Sequence, residues 1–275
     1  MGEVIACANQ KGGVGKTTTV VNLAAYLALA NRRVLVIDLD PQANATSGIG
    51  FDRSMPHSSV YPALVEGAHV LDLVRPTPIE NLSLIPSARD LAGAEVELVG
   101  LPERERRLRR ALDAARDSFD HVLLDCPPAV GLITVNALAA ADSVLVPIQC
   151  EYYALEGLSQ LLATIDLVRD HLNPELRLAG VVLTMYDART TLSADVVREV
   201  RSYLGSAVFD TVIPRSVRLA EAPSHGRPIV RYSPESRGAR AYEQLARELA
   251  ERASMAGRRA QPPLELGTPT AAVSG

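Results

Sequence analysis

Lysine is nearly absent from this chain. Of its 28 Lys and Arg residues only Lys11 and Lys16 are lysines, and the other 26 are arginines. A bias toward arginine explains the many arginines but not where the two lysines stand, in one glycine-rich segment. The chemistry there asks for a compact ammonium on a flexible stem rather than a planar fork. Cysteine is also scarce. Cys7, Cys126 and Cys150 form no C-x-x-C pair, and each lies in or beside an apolar run. They read as buried, reduced thiols rather than a disulfide framework or a cluster site. No apolar run approaches the ~18 residues of a membrane span. No basic segment followed by a long apolar stretch opens the chain, so no secretory signal is expected and the expected location is the cytoplasm. An excess of positive charge is missing too. The net charge is −4 and the sequence pI about 5.8, which excludes a globally basic nucleic-acid binder. A local basic patch is not excluded.

What is present is a soluble globular composition, 47% hydrophobic and 22% charged over 275 residues. That length suits one large α/β domain or two small ones. Apolar, β-branched runs occur at 4–8, 34–37, 82–85, 122–124, 144–148 and 181–183. They lack polar alternation, which predicts strands buried on both faces. Helical patterns fall between them, at 17–29, 104–116, 155–171, 193–204 and 236–253. The alternation predicts right-handed βαβ units and an α/β fold: a doubly wound, mostly parallel sheet with helices on both faces. The charged stretch 103–116 reads as the solvated face of a helix. Residues 1–256 read as one domain, and 257–275, rich in proline and small residues, as a disordered tail.

Residues 9–18 read Asn-Gln-Lys-Gly-Gly-Val-Gly-Lys-Thr-Thr, after a strand and at the start of a helix. This is the setting a phosphate loop needs. Gly12, Gly13 and Gly15 let backbone N–H groups turn inward around phosphate oxygens. The helix N-terminus adds its dipole. Lys16 can reach the β- and γ-phosphates and Thr17 can place a hydroxyl on Mg²⁺, so ATP and Mg²⁺ are the expected ligands. Lys11, Val14 and Thr18 complete the cradle. Two strands then end in acids. Val34–Ile37 leads into Asp38 and Asp40, whose spacing points both to one side. Val122–Leu124 leads into Asp125, then Pro127 and Pro128, which stiffen the exit. Carboxylates at such strand ends can hold metal-bound water or position an attacking water.

The loop KGGVGKTT has Gln10 where the standard motif has its first glycine. In this form it resembles the deviant phosphate loop of the ParA/MinD ATPases. The resemblance extends to DLDPQ at 38–42, to PIQCEYYALEG at 147–157, to YDART at 186–190 and to IPRSVRLAEAPSHG at 213–226. It covers nearly the whole chain to about residue 253 and is nearest to the chromosomal, Soj-type ParA branch. It implies that Lys11 crosses a dimer interface to the partner's nucleotide, that Asp40 is the hydrolysis residue, and that Asp38 supports the metal region. Asp125 would hold Mg²⁺ through water. Met185, Pro214 and Arg215 would flank adenine, although either loop can be ordinary structure. The further implications are an ATP-bound homodimer, non-specific double-stranded DNA, nucleoid association and a ParB-type partner that stimulates hydrolysis. Arg189 and Arg218 match DNA-contact positions of the family, and Arg198 and Arg201 are weaker candidates. Nine arginines against five acids give residues 189–240 a local charge of +4, as phosphate-backbone binding requires. No helix-turn-helix extension precedes the phosphate-loop strand, so operator binding is not expected.

Three competitors share this fold. A MinD-like membrane ATPase would need a basic amphipathic C-terminal helix, and residues 241–253 carry mixed charge instead. An iron–sulphur carrier would need paired interface cysteines. A small-molecule synthetase fits segments 147–157 and 213–226 less well. The alternative function is a cargo-positioning ATPase that does not act on DNA.

Overall fold

The computed structural model describes residues 2–52, 59–113, 115–151 and 154–256. The tail at 257–275, and Tyr152 and Tyr153 of the 147–157 segment, lie outside the described residues. The strands are β1 (Glu3–Cys7), β2 (Val34–Asp38), β3 (Arg75–Pro76), β4 (Leu82–Ile85), β5 (His121–Asp125), β6 (Ser143–Gln149), β7 (Arg177–Tyr186) and β8 (Val208–Pro214). The helices are α1 (Lys16–Leu29), α2 (Asn44–Gly48), α3 (Tyr61–Val65), α4 (Val70–Leu73), α5 (Leu91–Glu97), α6 (Arg107–Leu112), α7 (Leu132–Ala140), α8 (Ala154–His171), α9 (Thr191–Leu204), α10 (Val217–Glu221), α11 (Ile229–Tyr232) and α12 (Arg237–Ala256).

All eight strands share one sheet, in the order β3-β4-β2-β5-β1-β6-β7-β8. The β3–β4 pair is antiparallel and the other pairs run parallel. Successive residues feed opposite cores. Val4 and Ala6 of β1 join the core under α7 and α8, with Ile133, Leu138 and Leu161. Ile5 and Cys7 join the core under α1 and α12, with Leu23 and Tyr242. Both faces are dry, which is why these strands carry no polar alternation. The three cysteines are free and buried, as expected. Buried on the α1 side, the Tyr242 and Thr19 hydroxyls meet at 3.2 Å and pin the C-terminal helix to the helix of the phosphate loop. Because the main strands run parallel, the loops after β1, β2, β5, β6, β7 and β8 gather at one edge, where ligands bind in open α/β sheets.

The sequence reading differs from the structure in three places. The helix expected over 104–116 is only α6, since the chain turns before it and Glu103 takes a left-handed φ of 48°. Strands β3 and β8 were not expected. β3 has two residues, and β8 alternates exposed and buried positions and ends in Pro214. The stretch 212–215, expected to lead into a turn, is the end of β8 and the residue after it. The short helices α2–α5, α7, α10 and α11 also went unread, because fewer than three turns give too little periodicity.

Candidate nucleotide site

The phosphate loop leaves β1 and enters α1 through Gly15, whose φ is 91°. Gly13 is also left-handed, at 74°, with nothing within 4 Å of where a Cβ would stand. No side chain caps α1, so its first-turn amides are left for a ligand. The two lysines part company here. Lys16 is buried, 7% exposed, and its ammonium donates to the Lys11 carbonyl at 3.1 Å. Lys11 is exposed at the rim. Two residues that the sequence reading passed over brace the loop. Asn9 accepts from the Lys11 N–H at 3.0 Å and donates to the Pro147 carbonyl at 2.7 Å. The Thr184 hydroxyl lies 2.8 Å from the Val14 carbonyl and 3.1 Å from that of Ile148, so one proton is shared between β6 and the loop. Both bonds span more than 130 residues, and no local pattern encodes them.

Asp38 and Asp125 are register partners on adjacent strands, and both are fully buried. Asp38 accepts from the Thr46 N–H and hydroxyl, each at 2.7 Å, and from the Asp40 N–H at 3.1 Å. Burial pushes its carboxyl up to about 6, against the pull of these bonds. Neither oxygen of Asp125 completes a hydrogen bond. Burial first, and the Asp38 carboxylate second, hold it well above the usual range, while the Thr17 hydroxyl stands near enough to pull the other way without reaching bonding geometry. A dry, unpartnered carboxylate beside a threonine hydroxyl and a phosphate loop is the donor set expected around Mg²⁺, which uses few protein ligands and borrows the rest from water and phosphate. Asp40 is 8% exposed, and its Oδ1 accepts from the Gln42 N–H at 2.9 Å. It thus stands one residue past Leu39, fixed by its own turn rather than by the strand.

This arrangement predicts a pH effect. A carboxyl raised in the folded state binds more protons folded than unfolded. Its stabilising contribution is therefore present at acid pH and lost as pH rises from about 4 toward 6 and beyond. Ligand-free protein should lose melting temperature over that range. Asp125→Asn should flatten the slope and raise stability at pH 7 by on the order of 2 kcal/mol, while lowering Mg²⁺-dependent hydrolysis. A thermal melt series from pH 4.5 to 7.5 reads the first effect. A variant no more stable than the parent at pH 7 would refute it.

The loops after β6, β7 and β8 close the far side. Tyr186 pairs with Pro214, and the Arg215 N–H donates to the Tyr186 carbonyl at 2.9 Å. Met185, half-buried, takes a left-handed φ of 53°. Met185, Pro214 and Arg215 are thus brought together at the sheet edge. Glu151, which the sequence reading placed only within a motif, lies between two cations. Its Oε2 is 3.8 Å from the Lys11 ammonium and its Oε1 3.5 Å from the Arg215 guanidinium. Gln149 donates to it at 2.5 Å.

The arginines named from the sequence lie on exposed elements beyond this edge. Arg189 holds Asp187 in a two-pronged pair at 2.9 and 2.7 Å, and Asp187 sits well below the usual carboxylate range for that reason. Arg198 pairs with Asp195, and Arg218 with Glu221 at 3.0 Å. Arg201 donates to the Asp210 carbonyl at 3.0 Å. Exposed pairs of this kind contribute little, so a phosphate can displace the acid. Arg227, Arg231, Arg237 and Arg240 are exposed and make no ion pair among the described residues. The sequence reading counted their charge without singling them out.

A loop of this build, opening the helix behind the central strand, makes the molecule a P-loop ATPase. Known proteins narrow the class. The family model described as an AAA domain matches residues 2–178. The sporulation initiation inhibitor protein Soj of Bacillus subtilis is 57% identical over 250 residues, 91% of this chain and 99% of its own. The chromosome partitioning protein ParA of Myxococcus xanthus is 52% identical over 252 residues, 92% of this chain and 89% of its own. Among solved structures, cobyrinic acid a,c-diamide synthase from Mycobacterium smegmatis with bound ATP analogue and magnesium matches with a TM-score of 0.82 and 39% identity, covering 96% of this chain and 100% of that one. The chain belongs to the Soj/ParA family of chromosome-partitioning ATPases. Among the described residues no helix is long and apolar enough to cross a membrane.

Proposed function

We propose that this partitioning ATPase is a nucleotide-controlled DNA-binding switch. ATP is the substrate and Mg²⁺ the metal. Thr17 and Asp125 would hold the metal, which supplies charge neutralisation at the β- and γ-phosphates. Lys16 and the uncapped α1 amides hold the phosphates, and Asp40 orients the water. The observation that carries the reading is the division of labour between the chain's two lysines, one turned into the loop and buried, the other exposed at its rim. An ammonium at the rim is placed to meet a second subunit's nucleotide, which makes the ATP state a face-to-face dimer. Two arginine surfaces then act as one bivalent site on double-stranded DNA, without sequence preference. Hydrolysis, stimulated by a ParB-type partner, separates the subunits and releases DNA. Residues 1–256 form the ATPase domain in this reading, and 257–275 a tail.

The 57% and 52% identities to partitioning proteins support this reading over a small-molecule synthetase, whose solved relative stands at 39%. Lys11→Ala should keep ATP affinity within about threefold of the parent, yet lose the ATP-dependent dimer by light scattering. A variant that still dimerises with ATP would remove Lys11 from the interface. The functional test is binding to random-sequence duplex DNA with ADP and with ATP, across a salt series. ATP-dependent binding that weakens with salt, and whose salt slope falls by about one for Arg218→Ala, is expected. No binding in either nucleotide state would point to a cargo other than DNA.

A further inference from the structure

The segment Val217–Tyr232, which carries Arg218, Arg227 and Arg231, touches the nucleotide loops at two places. The first is Asn22. This residue is 3% exposed in the middle of α1, where asparagine is a poor helix former. Its side chain donates to the Thr18 carbonyl at 2.7 Å and accepts from the Ile229 N–H at 2.6 Å, a bond that spans 207 residues. Ile229 opens α11, so the first turn of α1 and the start of α11 share one rigid amide.

The second place is a contact between two glycines. Gly50, just past α2, and Gly226, at the end of the 3-10 turn Ala222–His225, both take left-handed φ, 95° and 60°. A Cβ on Gly50 would stand 2.8 Å from the Gly226 carbonyl oxygen. One on Gly226 would stand 3.1 Å from the Gly50 Cα and 3.2 Å from the Ser47 carbonyl oxygen. The two backbones meet with no side chain between them to absorb a displacement. The other end of this path is the metal-facing edge. Thr46 in α2 is held to Asp38 by two bonds of 2.7 Å, and its hydroxyl also accepts from the Ser87 N–H at 3.0 Å. Leu39, between the two acids, donates to the Asp125 carbonyl at 3.0 Å.

We propose that Asn22 is a fulcrum and the Gly50–Gly226 contact a push-point, and that together they position the arginine-bearing segment according to what occupies the nucleotide site. Asn22 ties α11 to the phosphate-loop helix, which anchors it. A shift of residues 38–40 moves α2 through Thr46, and α2 presses on Gly226. The 3-10 turn then tilts about Ile229, carrying Arg218 on one side and Arg227 and Arg231 on the other. Packed backbones are not continuously deformable, so a small shift at one end reaches the other undiminished. Asn22 and the glycines act as positioning residues, without contact to the nucleotide.

This inference rests on the DNA-switch reading, and the test separates the two. Duplex DNA affinity is measured for the full chain with Mg²⁺ and either ATP or ADP, for the parent, Gly226→Ala and Asn22→Ala. The variants should bind ATP within about threefold of the parent, while the ratio of DNA affinity in ATP to that in ADP falls by about tenfold or more. A parent with no such ratio overturns the DNA reading. A parent with the ratio, and variants that keep it in full, overturn the relay alone. Should the variants fail to fold, amide hydrogen exchange on the parent decides. Gly226, Arg227 and Ile229 should change protection between the ATP and ADP states, and equal protection in the two states overturns the proposal.

Discussion

Replacing Lys16 by alanine should lower ATP hydrolysis about a thousandfold or more, the scale expected when a preorganised charge is removed from a transferring phosphoryl group. Lys16 is the only cation buried in the loop, and its ammonium already points at the loop's own Lys11 carbonyl 3.1 Å away. That carbonyl is a weak partner, and the terminal phosphates offer a better one. Because the lysine is one of two in the chain, no neighbouring lysine can take over, and arginine is too broad for a buried slot shaped to a single ammonium. Lys16→Arg should therefore be nearly as inactive as Lys16→Ala. Equilibrium binding of a fluorescent ATP analogue checks the first step and phosphate release the second. A Lys16→Ala protein that hydrolysed ATP at even a tenth of the parental rate would show that the loop does not work as described.

Asp40→Ala should lower hydrolysis by about a hundred- to ten-thousandfold, the range of general-base and water-positioning groups, while leaving ATP binding intact. In the proposed cycle the protein then stays dimeric and on DNA. The comparison with Asp40→Asn separates chemistry from geometry. The asparagine Oδ1 keeps the bond to the Gln42 N–H that fixes the turn at 2.9 Å in the parent, but has no carboxylate to accept a proton. Both variants should fail in hydrolysis, and only alanine should loosen the 40–43 turn. Phosphate release and persistence on DNA after ATP addition are the two readouts. Normal turnover in Asp40→Asn would move the catalytic role elsewhere along this edge.

These two predictions rest on residues that could be picked out before any coordinates existed. The glycine spacing, the lysine pair and the threonines at 11–18 are a local pattern, and their chemistry is local as well. The strands at 82–85 and 34–37 were legible because both faces of each are buried, which removes every polar residue from the run. Asp125 was legible because it ends such a run. What escaped is equally physical. β3 has two residues, and α2 and α11 have five and four, too few to show a period. Thr184 and Asn9 looked like ordinary polar residues at strand ends, because the partners that give them a role lie far away in the chain.

The sequence by itself determined the ligand chemistry. A phosphate cradle, its two ammonium groups and the acids beside it are specified by neighbours within ten residues of one another. The apolar runs determined a parallel sheet, since only strands covered on both sides lack alternation. The tertiary structure alone decided how these parts face each other. It set Asp38 opposite Asp125, placed Glu151 between Lys11 and Arg215, let Thr184 hold the loop, and brought Gly50 against Gly226. Each of these contacts joins loops that follow different strands. Parallel strands bring the loops that follow them to one edge, whatever their separation in the chain, and that separation is why no local pattern can announce them.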